Sequence, residues 1–210
     1  APPNAMTADQ VHDSSDVAFI DILRAVAGAR GDARCIGGPG STSSTWTQFI
    51  ERVERASAAL NALGLGCHRE RNELAHHESG QDHLALLMHN SPQCLELMCA
   101  AFASRVAPVN VNHRYTADEL VDTLNYAHAT VVAVHSDYAD VLTAALPRLP
   151  HVRVVIEVTD SGDTVISTAH DYETLLNTHP PQLEPPLASG DDLYLVLTGG
   201  TTGRPRAVMW

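Results

Sequence analysis

Positive charge is scarce in this sequence of 210 residues, where 13 arginines and no lysine stand against 25 aspartates and glutamates and the formal net charge is −12. Such an acidic chain repels a phosphate backbone, so we expect no general nucleic-acid binding. A local phosphate site remains compatible with this charge, because backbone N–H groups and one or two cations suffice to hold an anion. Aromatic residues are few, at 5%, and hydrophobic residues make up 44%, values that are ordinary for a soluble α/β protein.

Long apolar runs are also lacking, since none approaches the roughly 20 residues that a membrane-spanning helix needs. The start of the chain has no basic segment followed by an apolar core, so we expect a disordered tail over residues 1–15 and no signal peptide. The four cysteines form no C-x-x-C pair, which argues against a disulfide framework. These absences favour a reduced, cytoplasmic protein, with peripheral attachment to a membrane left open.

What the sequence does contain is a regular alternation of apolar runs and amphipathic segments. Continuous runs such as "HLALLM" and "TVVAVH" are typical of strands that are buried on both faces. Between them lie segments with apolar residues at helical spacing, one of which opens with the capping box formed by Thr116 and Glu119. We therefore predict an α/β fold of three layers, with a mainly parallel sheet and helices on both faces.

Finer predictions concern individual helices and strands. We expect Thr47 to cap one helix and either Asn90 or Ser91 to cap another. Apolar spacing places the inner face of the second helix at three residues, Leu95, Met98 and Phe102. A strand at about residues 193–197 should lead into a glycine-rich loop, and the closing "RAVMW" favours a further strand.

The glycine-rich stretch "LVLTGGTTGRPRAVMW" has the composition of a phosphate-binding loop. Glycines let a backbone approach an anion closely, threonines add hydroxyl donors, and Arg206, with Arg204 as a second candidate, adds positive charge. The stretch matches neither the Walker pattern, which requires a lysine, nor the Rossmann G-x-G-x-x-G pattern. A plain hairpin loop without a ligand would have the same composition, so both interpretations stay open at this point.

The order of residues in "LVLTGGTTGRPR" resembles the nucleotide signature of the adenylate-forming enzymes, the AMP-forming acyl-CoA synthetases and their relatives. Two further stretches, "TWTQFIERVERASAALNALGLG" and "HLALLMHNSPQCLELMCAAFASRVAPVNVNHRYTADEL", resemble successive landmarks of such a synthetase in the same order. The longer polar segment before "HLALLM" is similar to that of actinobacterial fatty-acyl-CoA synthetases. The resemblance runs from about Asp16 to the last residue, and it implies that residues 16–210 form a partial N-terminal AMP-binding domain ending at the phosphate loop.

The resemblance implies that ATP, with magnesium, and a carboxylic acid form an acyl-adenylate, and that coenzyme A then takes the acyl group. It assigns the ATP phosphates to the loop residues Thr198, Gly199, Gly200, Thr201, Thr202, Gly203 and Arg206. The family usually has lysine where Arg206 stands and glycine where Ala207 stands. Arginine keeps the charge but presents a planar fork instead of a compact ammonium.

The family's adenine contacts, magnesium ligand, acyl pocket and catalytic lysine have no counterpart in these residues. We therefore expect this chain alone to be inactive and to bind ATP weakly or not at all. We also expect the sheet of this chain to have an unfinished edge, which favours self-association or binding of a partner chain. The alternative interpretation is a non-catalytic interaction module, or a pseudogene product, that docks on another chain.

Three other clusters carry weaker functional signals. His76, His77 and His83 are close in sequence and could bind zinc, but a solvated loop is the preferred interpretation. Asp118, Glu119 and Asp122 are interpreted as the solvated face of a capped helix. The landmark at residues 113–115, His113, Arg114 and Tyr115, is expected to shape the core and not to act chemically.

Overall fold

The computed structural model describes residues 17–37, 43–160, 163–198 and 206–210. The predicted N-terminal tail, residues 1–15, lies outside this part of the chain. The strands of the described part are β1 (Arg34–Ile36), β2 (Ser44–Thr45), β3 (His83–Leu87), β4 (Ala107–Asn110), β5 (Val131–His135), β6 (Val154–Val158), β7 (His170–Asp171), β8 (Leu195–Thr198) and β9 (Arg206–Met209). Strands β1 and β2 form a small antiparallel ribbon.

The other strands form one sheet in the order β7–β6–β5–β3–β4–β8–β9. Every neighbouring pair in it is parallel except β8 and β9, which are antiparallel. The predicted mainly parallel α/β fold is therefore confirmed. Strand β3 lies at the centre of the sheet, and later strands add on both sides of it. Because the strands from β7 to β8 are parallel, their carboxyl ends lie along one edge.

The helices that cover this sheet are α1 (Phe19–Arg30), α2 (Trp46–Ala62), α3 (Pro92–Ala103), α4 (Ala117–Tyr126), α5 (Ala139–Ala145) and α6 (Tyr172–Thr178). Ser91 caps α3, because its hydroxyl accepts a hydrogen bond from the Cys94 N–H at 3.1 Å. The capping box of Thr116 and Glu119 at the start of α4 is confirmed. These side chains satisfy N–H groups that the first turn of a helix leaves without partners.

The predicted cap of α2 is wrong, because Thr45 and not Thr47 occupies that position. The Thr45 hydroxyl accepts from the Gln48 N–H at 3.3 Å, and the Gln48 side chain accepts from the Thr45 N–H at 2.9 Å. A glutamine three residues after Thr45 completes a capping box. The residue three positions after Thr47 is Ile50, whose side chain cannot accept a hydrogen bond.

Two hydrophobic cores lie on opposite faces of the sheet. On one face, α1, α2, α3 and α6 pack on inward residues of β3, β5 and β6 such as Leu84, Ala133 and Ile156. On the other face, α4 and α5 pack on the alternate residues of the same strands, including Ala85 and Val132. Because both faces are covered, all five residues of β3 and of β5 are buried, as their continuous apolar runs predicted.

The predicted inner face of α3 is wrong. Leu95 is exposed and Met98 and Phe102 are half-buried, whereas Leu97, Ala100 and Ala101 are buried. Helix α3 packs against both α2 and α1 and also faces the sheet, so small residues that allow close approach occupy its most buried positions. Periodicity of large apolar residues alone did not identify them.

Candidate functional site

The strands that flank the glycine-rich residues form an antiparallel pair at the edge of the sheet. Strand β8 lies parallel to β4 through the pair Val109 and Leu195, and it turns back as β9. Thr198, the exposed last residue of β8, lies opposite Arg206, the first residue of β9. Residues 199–205 lie outside the described part, and with them the predicted phosphate-binding residues Gly199, Gly200, Thr201, Thr202 and Gly203.

Two of the predicted site residues, Thr198 and Arg206, are therefore brought together by the backbone register of the hairpin. The register gives Leu195–Met209, Val196–Val208, Leu197–Ala207 and Thr198–Arg206 as opposed pairs. Backbone hydrogen bonds between Tyr194 and Trp210, at 2.9 and 3.0 Å, extend the pairing by one residue. The predicted strands before and after the loop are confirmed, the first at Leu195–Thr198 and not at residues 193–197.

Because β8 is parallel to β4 and β3, its carboxyl end lies at the same sheet edge as theirs. Ligands of open α/β sheets bind at that edge, outside the carboxyl ends of the strands. Thr198 and Arg206, the residues on either side of residues 199–205, thus lie at the edge where a nucleotide is expected. The antiparallel β9 also means that no helix begins after the loop, so a helix dipole does not contribute to anion binding there.

A half-buried polar cluster fixes the segment that enters β8. The side chain of Gln81 accepts a hydrogen bond from the Leu193 N–H at 2.8 Å and donates to the Arg105 carbonyl at 3.0 Å and to Asp192 at 3.3 Å. Arg105 pairs with Asp192 at 3.0 Å and with Glu70 at 2.8 Å. Hydrogen bonds to Glu70, more than those to Asp192, raise the pKa of the Arg105 guanidinium against the opposing effect of burial.

Arg105 also has a backbone φ of 60°, in the left-handed region that residues other than glycine rarely adopt. The backbone of Arg105 accepts the hydrogen bond from Gln81, and its side chain makes the two ion pairs. The cluster of Gln81, Arg105 and Asp192 therefore connects the polar loop before β3, the turn after α3 and the segment before β8. Sequence analysis missed this cluster because its members are separated by 24 and 87 residues.

A second buried carboxylate lies between helices, away from the hairpin residues. Glu96 on α3 accepts from Arg52 on α2 at 2.8 Å and from the Tyr172 hydroxyl at 2.9 Å, and Arg52 also pairs with Glu173. Burial, aided by the Glu96 charge, raises the pKa of Tyr172. A cleft of about 620 Å³ opens beside this cluster, but its arginines are already paired with carboxylates, so it lacks the free positive charge that a phosphate needs.

The three histidines considered as zinc ligands are not brought together. His76 and His77 are exposed, as expected of a solvated loop, whereas His83 is buried at the start of β3. Both ring nitrogens of His83 have partners, the Ala127 carbonyl at 2.6 Å and the Ser79 hydroxyl at 2.8 Å. Burial lowers the pKa of His83, which favours a neutral structural histidine.

The remaining predicted clusters have the expected surroundings except at Arg114, whose exposed side chain does not shape the core. Glu119 serves in the capping box of α4, and Asp118 and Asp122 are exposed on the same helix. In the landmark of residues 113–115, Tyr115 packs against the core beneath α4 and α5, and the His113 ring lies 5.3 Å from the Tyr138 ring. Arg114 is exposed.

The chain matches the family described as AMP-binding enzymes over residues 23–210. It is 43% identical over 190 residues to the medium-chain acyl-CoA ligase Mig of Mycobacterium avium, which covers 90% of this chain and 34% of that protein. It is 32% identical to a 3-oxocholest-4-en-26-oate–CoA ligase of Rhodococcus rhodochrous, over 76% of this chain and 30% of the relative. The chain thus spans about a third of the length of these relatives.

Solved structures with the same fold include the anthranilate–CoA ligase AuaEII in complex with anthranoyl-AMP, with a TM-score of 0.80 at 18% identity. That match covers 97% of this chain and 36% of the ligase. A fatty acyl-CoA synthetase of Mycobacterium tuberculosis matches with a TM-score of 0.74 at 22% identity, over 92% of this chain and 34% of that protein. At such identities the likeness shows the fold alone.

No helix of the described residues is long and apolar enough to cross a membrane. The family match begins within α1 and covers the sheet and the other helices. It includes every stretch on which the sequence resemblance was based. The relatives at 43% and 32% identity are both CoA ligases. By its sequence and its fold, this chain belongs to the family of AMP-binding enzymes.

Proposed function

We propose that this chain supplies the ATP-phosphate-binding part of an acyl-CoA ligase that activates a carboxylic acid, with fatty acids as the substrate class. In this proposal ATP and the acid give an acyl-adenylate and pyrophosphate, and coenzyme A then takes the acyl group. The substrate class is supported by the 43% identical relative, which is a medium-chain acyl-CoA ligase. The observation that carries the phosphate site is the pairing of Thr198 with Arg206 across the hairpin.

The glycines, the threonines and Arg206 of the loop have three different roles in the proposal. Gly199, Gly200 and Gly203 let backbone N–H groups converge on the phosphates, since glycine has no Cβ and tolerates positive φ. Thr198, Thr201 and Thr202 donate hydroxyl hydrogen bonds, and Arg206 adds a fixed positive charge. Ala207, next to Arg206, is paired in β9 with Leu197, so the loop's freedom ends there.

Magnesium would enter this site with the nucleotide. Mg²⁺ prefers carboxylate, phosphate and water oxygens, and residues 195–210 contain no aspartate, glutamate or histidine. The loop's own donors therefore suit the phosphates and not the metal. In the proposal Mg²⁺ neutralises phosphate charge when bound, while the loop orients the phosphate chain.

We further propose that residues 16–210 form part of a larger domain and do not complete the reaction alone. The matched relatives are about three times as long as the stretch they share with this chain. Acid activation requires several groups held together around the reacting atoms. Incubated alone with ATP, magnesium, coenzyme A and a panel of fatty acids, the chain should release no pyrophosphate above background.

The test of the phosphate loop uses a complete ligase, made by joining residues 1–210 to the remainder of the Mycobacterium avium relative. A charge-assisted hydrogen bond contributes roughly 1.5–3 kcal/mol, so Arg206→Ala should raise the ATP concentration for half-maximal rate by about one to two orders of magnitude. Arg206→Lys should do no harm, because a compact ammonium also binds phosphate.

A hairpin without a ligand predicts another result. Neither substitution would then change the ATP dependence, although both could change the stability of the fusion. Equal ATP dependence in the three forms, at equal folded fraction, would reject the phosphate-loop assignment. Loss of rate without any change in ATP requirement would also count against it.

A further inference from the structure

A group of metal-ligating side chains lies at the carboxyl edge of the sheet, outside the hairpin. Strands β3 and β5 are neighbours, with Leu87 opposite Val134. His89 lies two residues after the end of β3, and His135 is the last residue of β5. The two imidazoles therefore meet at the carboxyl ends of adjacent strands. Their ring centroids are 4.5 Å apart. Asp137 follows in the turn after β5, and the ligand atoms of the three side chains all lie within 4.8 Å of one another.

These spacings approach those of a coordinated metal ion. Two ligand atoms at about 2.1 Å from a tetrahedral zinc ion are about 3.4 Å apart. The Nδ1 atom of His135 already lies 3.3 Å from a carboxylate oxygen of Asp137. His89 completes the set with a ligand atom within 4.8 Å of the other two, so reaching the coordinated spacing requires an approach of at most about 1.4 Å.

The burial of the three residues differs in a way that suits an open metal site. The side chain of His135 is only 4% exposed, whereas that of Asp137 is 64% exposed, and His89 is intermediate. A bound ion would be anchored on the buried imidazole and would keep a solvent-facing position. Three protein ligands with one open position is a common arrangement for zinc.

We propose that His89, His135 and Asp137 bind one divalent transition-metal ion of the zinc type, with water as the fourth ligand. Two imidazole nitrogens and one carboxylate favour such an ion over Mg²⁺ or Ca²⁺, which prefer oxygen ligands. The ion would join the ends of β3 and β5, and it would neutralise part of the charge of a strongly acidic chain. The inference does not depend on the proposed function, because it uses no residue of the hairpin.

The surroundings of His135 decide which nitrogen takes the ion. Nδ1 accepts a hydrogen bond of 3.2 Å from the Asp137 N–H, and a metal at Nδ1 would replace that long bond. Nε2 lies 3.7 Å from a carboxylate oxygen of Asp160. A small approach would let the Nε2–H donate to Asp160, which is the carboxylate partner that commonly orients a metal-bound histidine.

The test is calorimetric titration of the reduced, untagged chain with Zn²⁺, together with thermal unfolding at the same metal concentrations. We expect one ion per chain with a Kd below about 10 μM, a range typical of a specific site with few protein ligands. A concentration one hundred times Kd should raise the Tm by roughly 5–10 °C. Mg²⁺ at the same concentration should leave the Tm unchanged.

The variants locate the site. His89→Ala and Asp137→Asn should each raise the Kd for Zn²⁺ at least tenfold. Because neither residue is buried, both variants should have the Tm of the parent in the absence of metal. The matched control is the double variant His76→Ala/His77→Ala, whose exposed imidazoles lie in the polar loop, and it should bind as the parent does. Absence of binding below about 100 μM, or equal binding by parent, His89→Ala and Asp137→Asn, would overturn the proposal.

Discussion

The centre of the sheet and its β8–β9 edge are built very differently. Every residue of β3 and β5 is buried between two helical layers. In the hairpin, Leu195 is buried but Val196 and Leu197 are only half-buried, and Val208 and Trp210 are 39% and 77% exposed. The centre therefore derives its stability from packing on both faces, whereas the hairpin depends on a few attachments.

Those attachments are identifiable. One backbone pair, Val109 with Leu195, joins β8 to β4. A small hydrophobic core lies beneath β8 and consists of Ala107, Val109, Ala127 and Leu195. The polar cluster of Gln81, Arg105 and Asp192 fixes the segment that leads into β8. The difference teaches that the element with the proposed phosphate loop is positioned from outside itself, which is common for functional segments on a stable scaffold.

The largest expected difference between the two regions is the loss of unfolding free energy when a leucine is shortened to alanine. Leu84→Ala, at a β3 position with 0% exposure, should lower the free energy of unfolding by about 2–5 kcal/mol. Leu197→Ala on β8 removes the same atoms from a half-buried position and should lower it by less than about 1.5 kcal/mol. Urea denaturation followed by circular dichroism measures both, and equal losses would contradict the contrast between centre and edge.

A smaller effect, dependent on pH, is expected at Asp82, just before β3. Burial would raise the pKa of Asp82, but hydrogen bonds from His68, Arg153, Thr130 and the Gly66 N–H together hold it below the usual value. Because the pKa is lower in the folded chain, the stabilisation is present above the unfolded value of about 3.9 and is lost as the pH falls through the folded value.

Asp82→Asn should therefore lower the free energy of unfolding at pH 7 by about 1.5–3 kcal/mol, and the difference from the parent should shrink below about pH 4. Urea denaturation at several pH values measures it. Asp118→Asn is the control, because Asp118 is 85% exposed in its pair with Arg148, and its effect should stay within about 0.5 kcal/mol. A difference at Asp82 that does not vary with pH would argue against the ionic interpretation.

The smallest effect should be local to the hairpin. Gln81→Met keeps the size of the side chain but removes its hydrogen bonds to Leu193, Arg105 and Asp192. We expect amide hydrogen exchange of Val196 and Val208 to become about five- to tenfold faster, as for an opening free energy lowered by about 1 kcal/mol. Exchange of β3 and β5 amides should not change. Equal acceleration in all four strands would show that Gln81 supports the whole domain and not the hairpin.

The sequence predicted those features that depend on neighbouring residues. Continuous apolar runs identified β3 and β5. The pair of candidate caps Asn90 and Ser91 located the start of α3, and Thr116 with Glu119 identified the start of α4. Such signals are local, because a cap bonds within its own first turn and a strand buried on both faces needs an unbroken apolar run. The ordered motif "LVLTGGTTGRPR" carried the family resemblance in the same way, since its residues are adjacent.

Only the tertiary structure decided which residues from distant parts of the chain meet. The sequence pointed to His76, His77 and His83 because they are close along the chain, whereas the fold brings His89 to His135 across neighbouring strands. It likewise brings Gln81 and Arg105 to Asp192, and Glu96 to Tyr172. Spacing along a chain reports contacts within one helix or strand, but the crossover connections of a parallel sheet decide which strand ends become neighbours. The sequence alone thus determined most of the elements, the glycine-rich motif and the family, whereas the order of strands in the sheet determined which distant side chains form clusters.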